Sequence, residues 1–349
     1  MSVQHGGDWA GFKIEYGKCP LDFSANTGPL GLPEGIRDAV IASLDHADHY
    51  PDPYCRELKN AIAARYAMTA DGIACGNGAA DIIDRLIKAR KPENALITAP
   101  TFGEYREALQ REACNVEEYP LKEPDEFRIR EDILESITPK LDMVILCEPN
   151  NPTGITTDRR LLENILYKCR ECGCLLVIDE CFNEFLEQPE DKSMIGEISG
   201  GSLLILRAFT KFYGMAGIRL GWCACKDEKL ISDIEHAGQP WNVSLPAQIA
   251  GVAALKEKEY ETRLRKLIKE QRDILIGGLE NMGCRVIKGE ANYILFFCED
   301  TQLDFKLREK GILIRHCGNY AGLGENWYRI AVRTEPENRR LLRTLKEVL

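Results

Sequence analysis

The chain has 349 residues, 44% hydrophobic and 29% charged, proportions that exclude a disordered or collagen-like protein and suggest two domains. Its formal charge of −10 opposes general binding to a phosphate backbone but permits one small anion held by local cations. No apolar run approaches the ~18 residues of a membrane helix, and no basic-then-apolar leader opens the chain, which predicts the cytoplasm.

The first ~40 residues are rich in Gly and Pro with little periodicity. Helices are expected over Pro33–Leu44, with proline at the start, over Tyr54–Tyr66, and over Ala79–Lys88 after the turn Gly76-Asn77-Gly78. Strands are expected at Ala95–Thr98, Val116–Tyr119, Met143–Cys147, Leu175–Ile178, Leu203–Leu206 and Leu220–Cys225, with helices Tyr105–Arg111 and Arg159–Cys172 between them. Strands alternating with helices of this length imply a largely parallel α/β sheet covered on both faces. Beyond Trp241 a long charged helical stretch, Ala247–Asn281, breaks near Glu257–Glu259. Short strands follow at Cys284–Ile287, Tyr293–Phe297, Leu313–Arg315 and Tyr328–Val332, then a last helix, Glu337–Leu349. This α+β texture divides the chain into an N-terminal segment (1–40) packing on a smaller C-terminal domain (241–349), and a large domain (41–240).

Fourteen cysteines in a chain of this length, most of them inside apolar segments, read as reduced buried thiols. Cys169, Cys172 and Cys174 lack the further ligand that would complete a metal site.

In open α/β sheets ligands bind beyond the carboxyl ends of the strands, and four groups fall there. Gly76-Asn77-Gly78-Ala79 opens a helix, where close backbone approach and free N–H groups suit an anion, although a plain connector has the same form. Glu148-Pro149-Asn150-Asn151-Pro152-Thr153-Gly154 is a stiff loop presenting amides, or simply a rigid turn. Asp179 and Glu180 end a buried strand, where a carboxylate needs a partner: a cationic ring nitrogen, or a structural Arg. Lys211, set among Phe209, Phe212 and Tyr213, is an amine whose burial lowers its pKa and suits attack on a carbonyl. Thr210 and Arg219 beside it can grip a phosphate. One object satisfies all four: it carries a phosphate, an aldehyde, a phenolic oxygen and a protonatable ring nitrogen, as pyridoxal 5′-phosphate (PLP) does.

The order of these motifs, with Pro100-Thr101-Phe102 and the Arg329–Leu342 stretch, resembles the fold-type I PLP enzymes of the aspartate aminotransferase superfamily. Within it the chain is most similar to the threonine-phosphate decarboxylases of cobalamin biosynthesis, and next to the histidinol-phosphate aminotransferases. The resemblance implies a PLP-transferase fold: a large domain with a mostly parallel seven-stranded sheet, plus a smaller α+β domain. It implies that Lys211 binds the cofactor covalently, Asp179 pairs with the ring nitrogen, Asn151 and the neighbourhood of Phe182 face the ring oxygen, and Phe102 stacks on the ring. Gly78, Ala79, Thr210 and Arg219 would hold the cofactor phosphate, and Tyr50 would reach that of a second subunit in a homodimer. Arg333 would clamp the substrate carboxylate, and Arg315, His5 and Asn26 are the candidates for a substrate phosphate. Phe182 replaces a tyrosine usual in the aminotransferases, and His5-Gly6-Gly7 and Thr210-Lys211-Phe212-Tyr213 resemble the decarboxylases. Gly28 and Ala79 depart from the family by removing an amide and a hydroxyl. The implied reaction is decarboxylation of an O-phosphorylated amino acid, most simply threonine phosphate. An aminotransferase of the histidinol-phosphate type is the alternative, and a non-catalytic PLP-binding regulatory module the remote one.

Overall fold

The computed structural model describes residues 6–349. Thirteen strands are distributed over three sheets: β1 (Leu21–Asp22), β2 (Ile73–Gly76), β3 (Asn94–Ala99), β4 (Asn115–Pro120), β5 (Met143–Cys147), β6 (Leu175–Asp179), β7 (Leu203–Ala208), β8 (Gly221–Cys225), β9 (Arg285–Ile287), β10 (Tyr293–Phe297), β11 (Ile312–Leu313), β12 (Arg315–His316) and β13 (Trp327–Ala331). The large sheet has seven strands in the order β2-β8-β7-β6-β5-β3-β4. From β7 to β4 every pairing is parallel, whereas β8 runs antiparallel to both neighbours.

The apolar runs of the sequence become strands buried on both faces. Along β5, Met143 and Ile145 join one core and Val144 and Leu146 the other; along β6, Leu175 and Val177 are divided from Leu176 and Ile178 in the same way. This period of two explains why the central strands read as continuous hydrophobic segments. Five of the six expected large-sheet strands lie within the range of parallel-sheet elements or their direct neighbours, and Leu220–Cys225 begins one residue later, at Gly221. The seventh strand, β2, is Ile-Ala-Cys-Gly, too short and too poor in branched residues to announce itself.

The C-terminal sheet is four-stranded and antiparallel, β12-β13-β10-β9. The expected strand Leu313–Arg315 is two pieces separated by Ile314. β11 pairs in parallel with β1, and β12 pairs with β13, so the chain changes sheets within three residues. Through the β1 pairing and the bonds Phe23 N to Leu313 O (2.8 Å) and Ala331 N to Phe23 O (2.8 Å), the early chain packs against C-terminal elements. The early chain also holds a helix, Trp9–Tyr16, capped by Asp8 and ended by Gly17 in the left-handed conformation. No helix among the described residues is long and apolar enough to cross a membrane.

Candidate active site

A cavity of about 390 Å³ opens beyond the carboxyl ends of β5, β6 and β7. Cys147, Asp179 and Ala208, each the last residue of its strand, line it. Asn26, Ala79, Phe102, Asn151, Phe182, Thr210, Lys211, Arg219 and Arg315 line it as well. Segments separated by almost 300 residues are therefore brought to one place, as the crevice rule for parallel sheets requires.

The two acids ending β6 have different partners. Glu180 takes the structural arginine: Arg207 Nη2 donates to it at 2.6 Å, and Ser193 Oγ and Met194 N donate at 2.7 Å each. Asp179 is also buried, but it accepts from the Tyr105 hydroxyl (2.6 Å) and the Cys181 amide (2.9 Å) rather than from a guanidinium. Burial raises its pKa, and the donors from Cys181 and Tyr105 and the charge of Lys211 only partly offset that. A buried acid that faces a cavity with no guanidinium on it fits a cationic ring nitrogen.

Lys211 lies in a four-residue helix, Phe209–Phe212, directly after β7. Burial lowers its pKa, and Arg329 and Arg219 push the same way. A buried amine whose pKa is lowered, beside an open cavity, is suited to carbonyl attack. The helix Ala79–Arg90 begins at the cavity wall, with Gly78 as its N-cap at φ +89°. A Cβ at Gly78 would lie 2.5 Å from Arg219 Nη2, so only glycine lets the guanidinium cross the helix start. Arg219 itself has φ +64°, an uncommon conformation for a side-chain-bearing residue, and its Nη1 donates to Ala216 O (3.3 Å). Helix N–H groups, the Thr210 hydroxyl and the Arg219 guanidinium are donors of the kind that could hold a phosphate. The acid, the amine and these donors fit PLP.

Asn151 follows β5 on the loop 148–157, and its Oδ1 accepts from Arg329 Nη1. Phe102 has its ring centroid 5.5 Å from that of Tyr105, edge to face, and Phe182 packs edge to face on Tyr293 at 5.0 Å. Asn26 is buried with its Oδ1 unpartnered. Arg315 is buried, donates to Asn319 Oδ1 (2.7 Å) and lies over the Tyr320 ring. Tyr50 does not line this chain's cavity; it is 81% exposed and its ring lies 4.8 Å from Trp241. His5 lies outside the described residues.

Arg333 is a candidate that the fold also puts elsewhere. It does not line the cavity; its guanidinium is held by Glu337 at 2.9 Å, one turn along the last helix. The arginine of this stretch that lines the cavity is Arg329, on β13. It is buried, donates to Asn151 and to Ser24 O (3.0 Å), and leaves Nε without a partner. A signal was present: Thr334-x-x-Glu337 is a capping box, and Glu337 also bonds Arg333. β13 ends at Ala331, so Arg333 already belongs to the helix start. Tyr105 was also missed as a partner of Asp179; it lies in the first turn of the helix Glu104–Arg111, which follows Phe102.

The fourteen cysteines are free, twelve of them buried, and no metal-binding cluster occurs among the described residues.

Residues 20–345 match the family Aminotransferase class I and II. The chain is 36% identical over 333 residues to a threonine-phosphate decarboxylase of Salmonella typhimurium, an alignment covering 94% of this chain and 91% of that one. It is 30% identical over 338 residues to a histidinol-phosphate aminotransferase of Moorella thermoacetica, covering 94% and 85%. Among solved structures, a histidinol-phosphate aminotransferase from Clostridium acetobutylicum superimposes with TM-score 0.88 at 31% identity, covering 93% of this chain and 98% of that one.

Proposed function

The chain belongs to the class I and II aminotransferases, a PLP-dependent enzyme family, and from that premise we propose that it decarboxylates an O-phosphorylated amino acid, with L-threonine O-3-phosphate as substrate and 1-aminopropan-2-yl phosphate as product. The observation that carries the reading is the charge of the cavity. Lys211, Arg219, Arg315 and Arg329 line it, against Asp179 and Glu104. Beyond Lys211, given to the cofactor aldehyde, and Arg219, given to the cofactor phosphate, the cavity wall carries the positive charges of Arg315 and Arg329. Threonine phosphate brings two anions, a carboxylate and a phosphate. Histidinol phosphate brings one.

When bound, PLP draws electrons from the bond that breaks at the substrate's Cα. In this reading Asp179 keeps the ring nitrogen protonated, and Tyr105 holds the carboxylate in place. Phe102 covers the ring, Asn151 donates to the ring oxygen, and Phe182 adds no second hydroxyl there. Arg329 grips the substrate carboxylate before CO2 leaves, Arg315 and Asn26 take the substrate phosphate, and Lys211 Nζ is the group placed to return a proton to Cα. The exposed Tyr50 and Trp241 pair supports a homodimer in which Tyr50 reaches the other subunit's cofactor phosphate. Fourteen free thiols favour a reducing cytoplasm.

The test is incubation of the PLP-loaded protein with threonine phosphate. Release of CO2 without any added 2-oxo acid is the expected result. Turnover that requires 2-oxoglutarate and releases no CO2 would identify the aminotransferase of the histidinol-phosphate type instead.

A further inference from the structure

Another buried acid lies next to the site and has no part in the chemistry proposed above. Glu148 is the first residue after β5 and is 5% exposed. Its backbone N–H donates to Asp179 O at 2.9 Å, so it is bonded to the end of the strand that presents the cofactor acid. Its side chain crosses the loop. Oε2 accepts from Thr157 N at 2.8 Å, and the Thr157 hydroxyl bonds Oε1. Glu148 and Thr157 thus close the ten-residue loop 148–157 at its two ends.

Three further observations show what the closed loop carries. Asn150 fixes the interior: its side chain bonds Thr101 Oγ1 (3.0 Å), Pro100 O (3.1 Å) and Thr153 Oγ1 (3.1 Å). The far side of the loop lies on the C-terminal sheet, with Tyr293 Oη donating to Asn150 O (2.9 Å) and Glu290 N to Gly154 O (2.7 Å). The approach is so close that a Cβ on Gly289 would lie 2.6 Å from Thr153 O. Between these ties stands Asn151, whose side chain reaches into the cavity and meets Arg329.

Unlike Glu180, Glu148 has no guanidinium. Burial dominates its titration, Thr157 offsets part of that cost, Glu180 opposes ionisation and Lys192 assists it. A plain loop closure does not require a carboxyl group at so unfavourable a place.

We propose that Glu148 is a positioning residue: by clasping Thr157 it sets the loop that aims Asn151 at the cofactor's ring oxygen and braces Arg329 for the substrate carboxylate. The proposal rests on the reading of the cavity given above and deepens it. Glu148 touches neither substrate nor cofactor; it acts through Asn151 and Arg329.

The test compares Glu148→Ala, Glu148→Gln and Thr157→Val in the PLP-loaded full chain. Glutamine can accept from Thr157 N and donate to Thr157 Oγ1, so it retains the clasp; alanine removes it, and valine removes the hydroxyl alone. Two readouts are used: the absorbance of bound PLP between pH 6 and 9, and the dissociation constant of threonine phosphate read from the change in that absorbance. Glu148→Ala is expected to move the pH midpoint of the absorbance and to weaken threonine phosphate binding about tenfold, with kcat changed less than KM if turnover is measured. Glu148→Gln is expected to restore both, and Thr157→Val to fall between. Glu148→Ala with a wild-type spectrum and a wild-type constant overturns the proposal, as does a glutamine variant no better than alanine. If alanine fails to fold, Thr157→Val decides: unchanged spectrum and binding overturn the proposal. Both readouts are independent of catalysis, so a protein that releases no CO2 would refute the decarboxylase reading and leave the clasp still measurable.

Discussion

The large sheet and the C-terminal sheet present their site residues by different rules. In the large sheet the central strands β5, β6 and β7 are parallel and buried on both faces, and their carboxyl ends meet at one place: Cys147, Asp179 and Ala208 close their strands at the cavity. Finding the strands is there nearly the same as finding the site. In the antiparallel C-terminal sheet, residues on either side of a strand's last position have unrelated surroundings. Arg329 and Arg333 share the parity of one strand face, yet only Arg329 lies on the strand; Arg333 is claimed by the last helix. The difference teaches that a parallel sheet assigns function by position along the chain, while an antiparallel one assigns it by register and by where the strand stops.

Three experiments bear on this contrast, the first with the largest expected effect. Lys211→Ala should abolish borohydride-reducible attachment of PLP and lower turnover by at least about 10³-fold. A covalent adduct that persists in this variant would move the reactive amine to another lysine and break the rule for the large sheet. Next, Arg329→Ala should weaken binding of a carboxylate substrate about a hundredfold, close to 2.7 kcal/mol. Arg333→Ala should leave binding unchanged and reduce stability by under about 1 kcal/mol, since its partner Glu337 is only partly buried. Titration of both variants with threonine phosphate, alongside urea unfolding, measures the two effects, and a reversed order would restore the arginine that sequence reasoning chose.

The last experiment concerns pH. Burial raises the Glu148 pKa to about 7. The folded protein then keeps a proton that the unfolded chain releases near the ordinary carboxylate value. Stability contributed by this residue therefore falls as pH rises from about 4.5 to about 7 and is level above that. Glu148→Gln removes the ionisation and should stabilise the protein at pH 8, by at most on the order of 3 kcal/mol. The gain should vanish near pH 4. Urea unfolding at pH 4, 6 and 8 checks it, and a gain independent of pH would place the effect in packing instead.

Much of the site was legible because its chemistry demands unusual residues in unusual places. A lysine among aromatics after a buried strand, an acid at a strand tip and a glycine turn before a helix fit one ligand as a set, although the acid and the turn each have a structural reading alone, and the fold brings the lysine, the acid and the helix start at Ala79 to one cavity. Tyr105 was not legible, because its role depends on a 2.6 Å contact with a residue 74 positions away. β2 was hidden by its small residues and Ile314 by the change of sheet within one short run.

The amino-acid order alone determined the class of fold, the central strands and the set of groups that fit the cofactor, because local periodicity and residue chemistry survive without long-range information. Only the tertiary structure decided which acid of the pair Asp179 and Glu180 was left for a ligand, and which arginine enters the cavity. Each choice turns on a partner distant in the chain: Arg207 takes one acid, and the pairing of β13 with β10 carries Arg329 inward. Long-range pairing is set by packing, and no single stretch of sequence contains it.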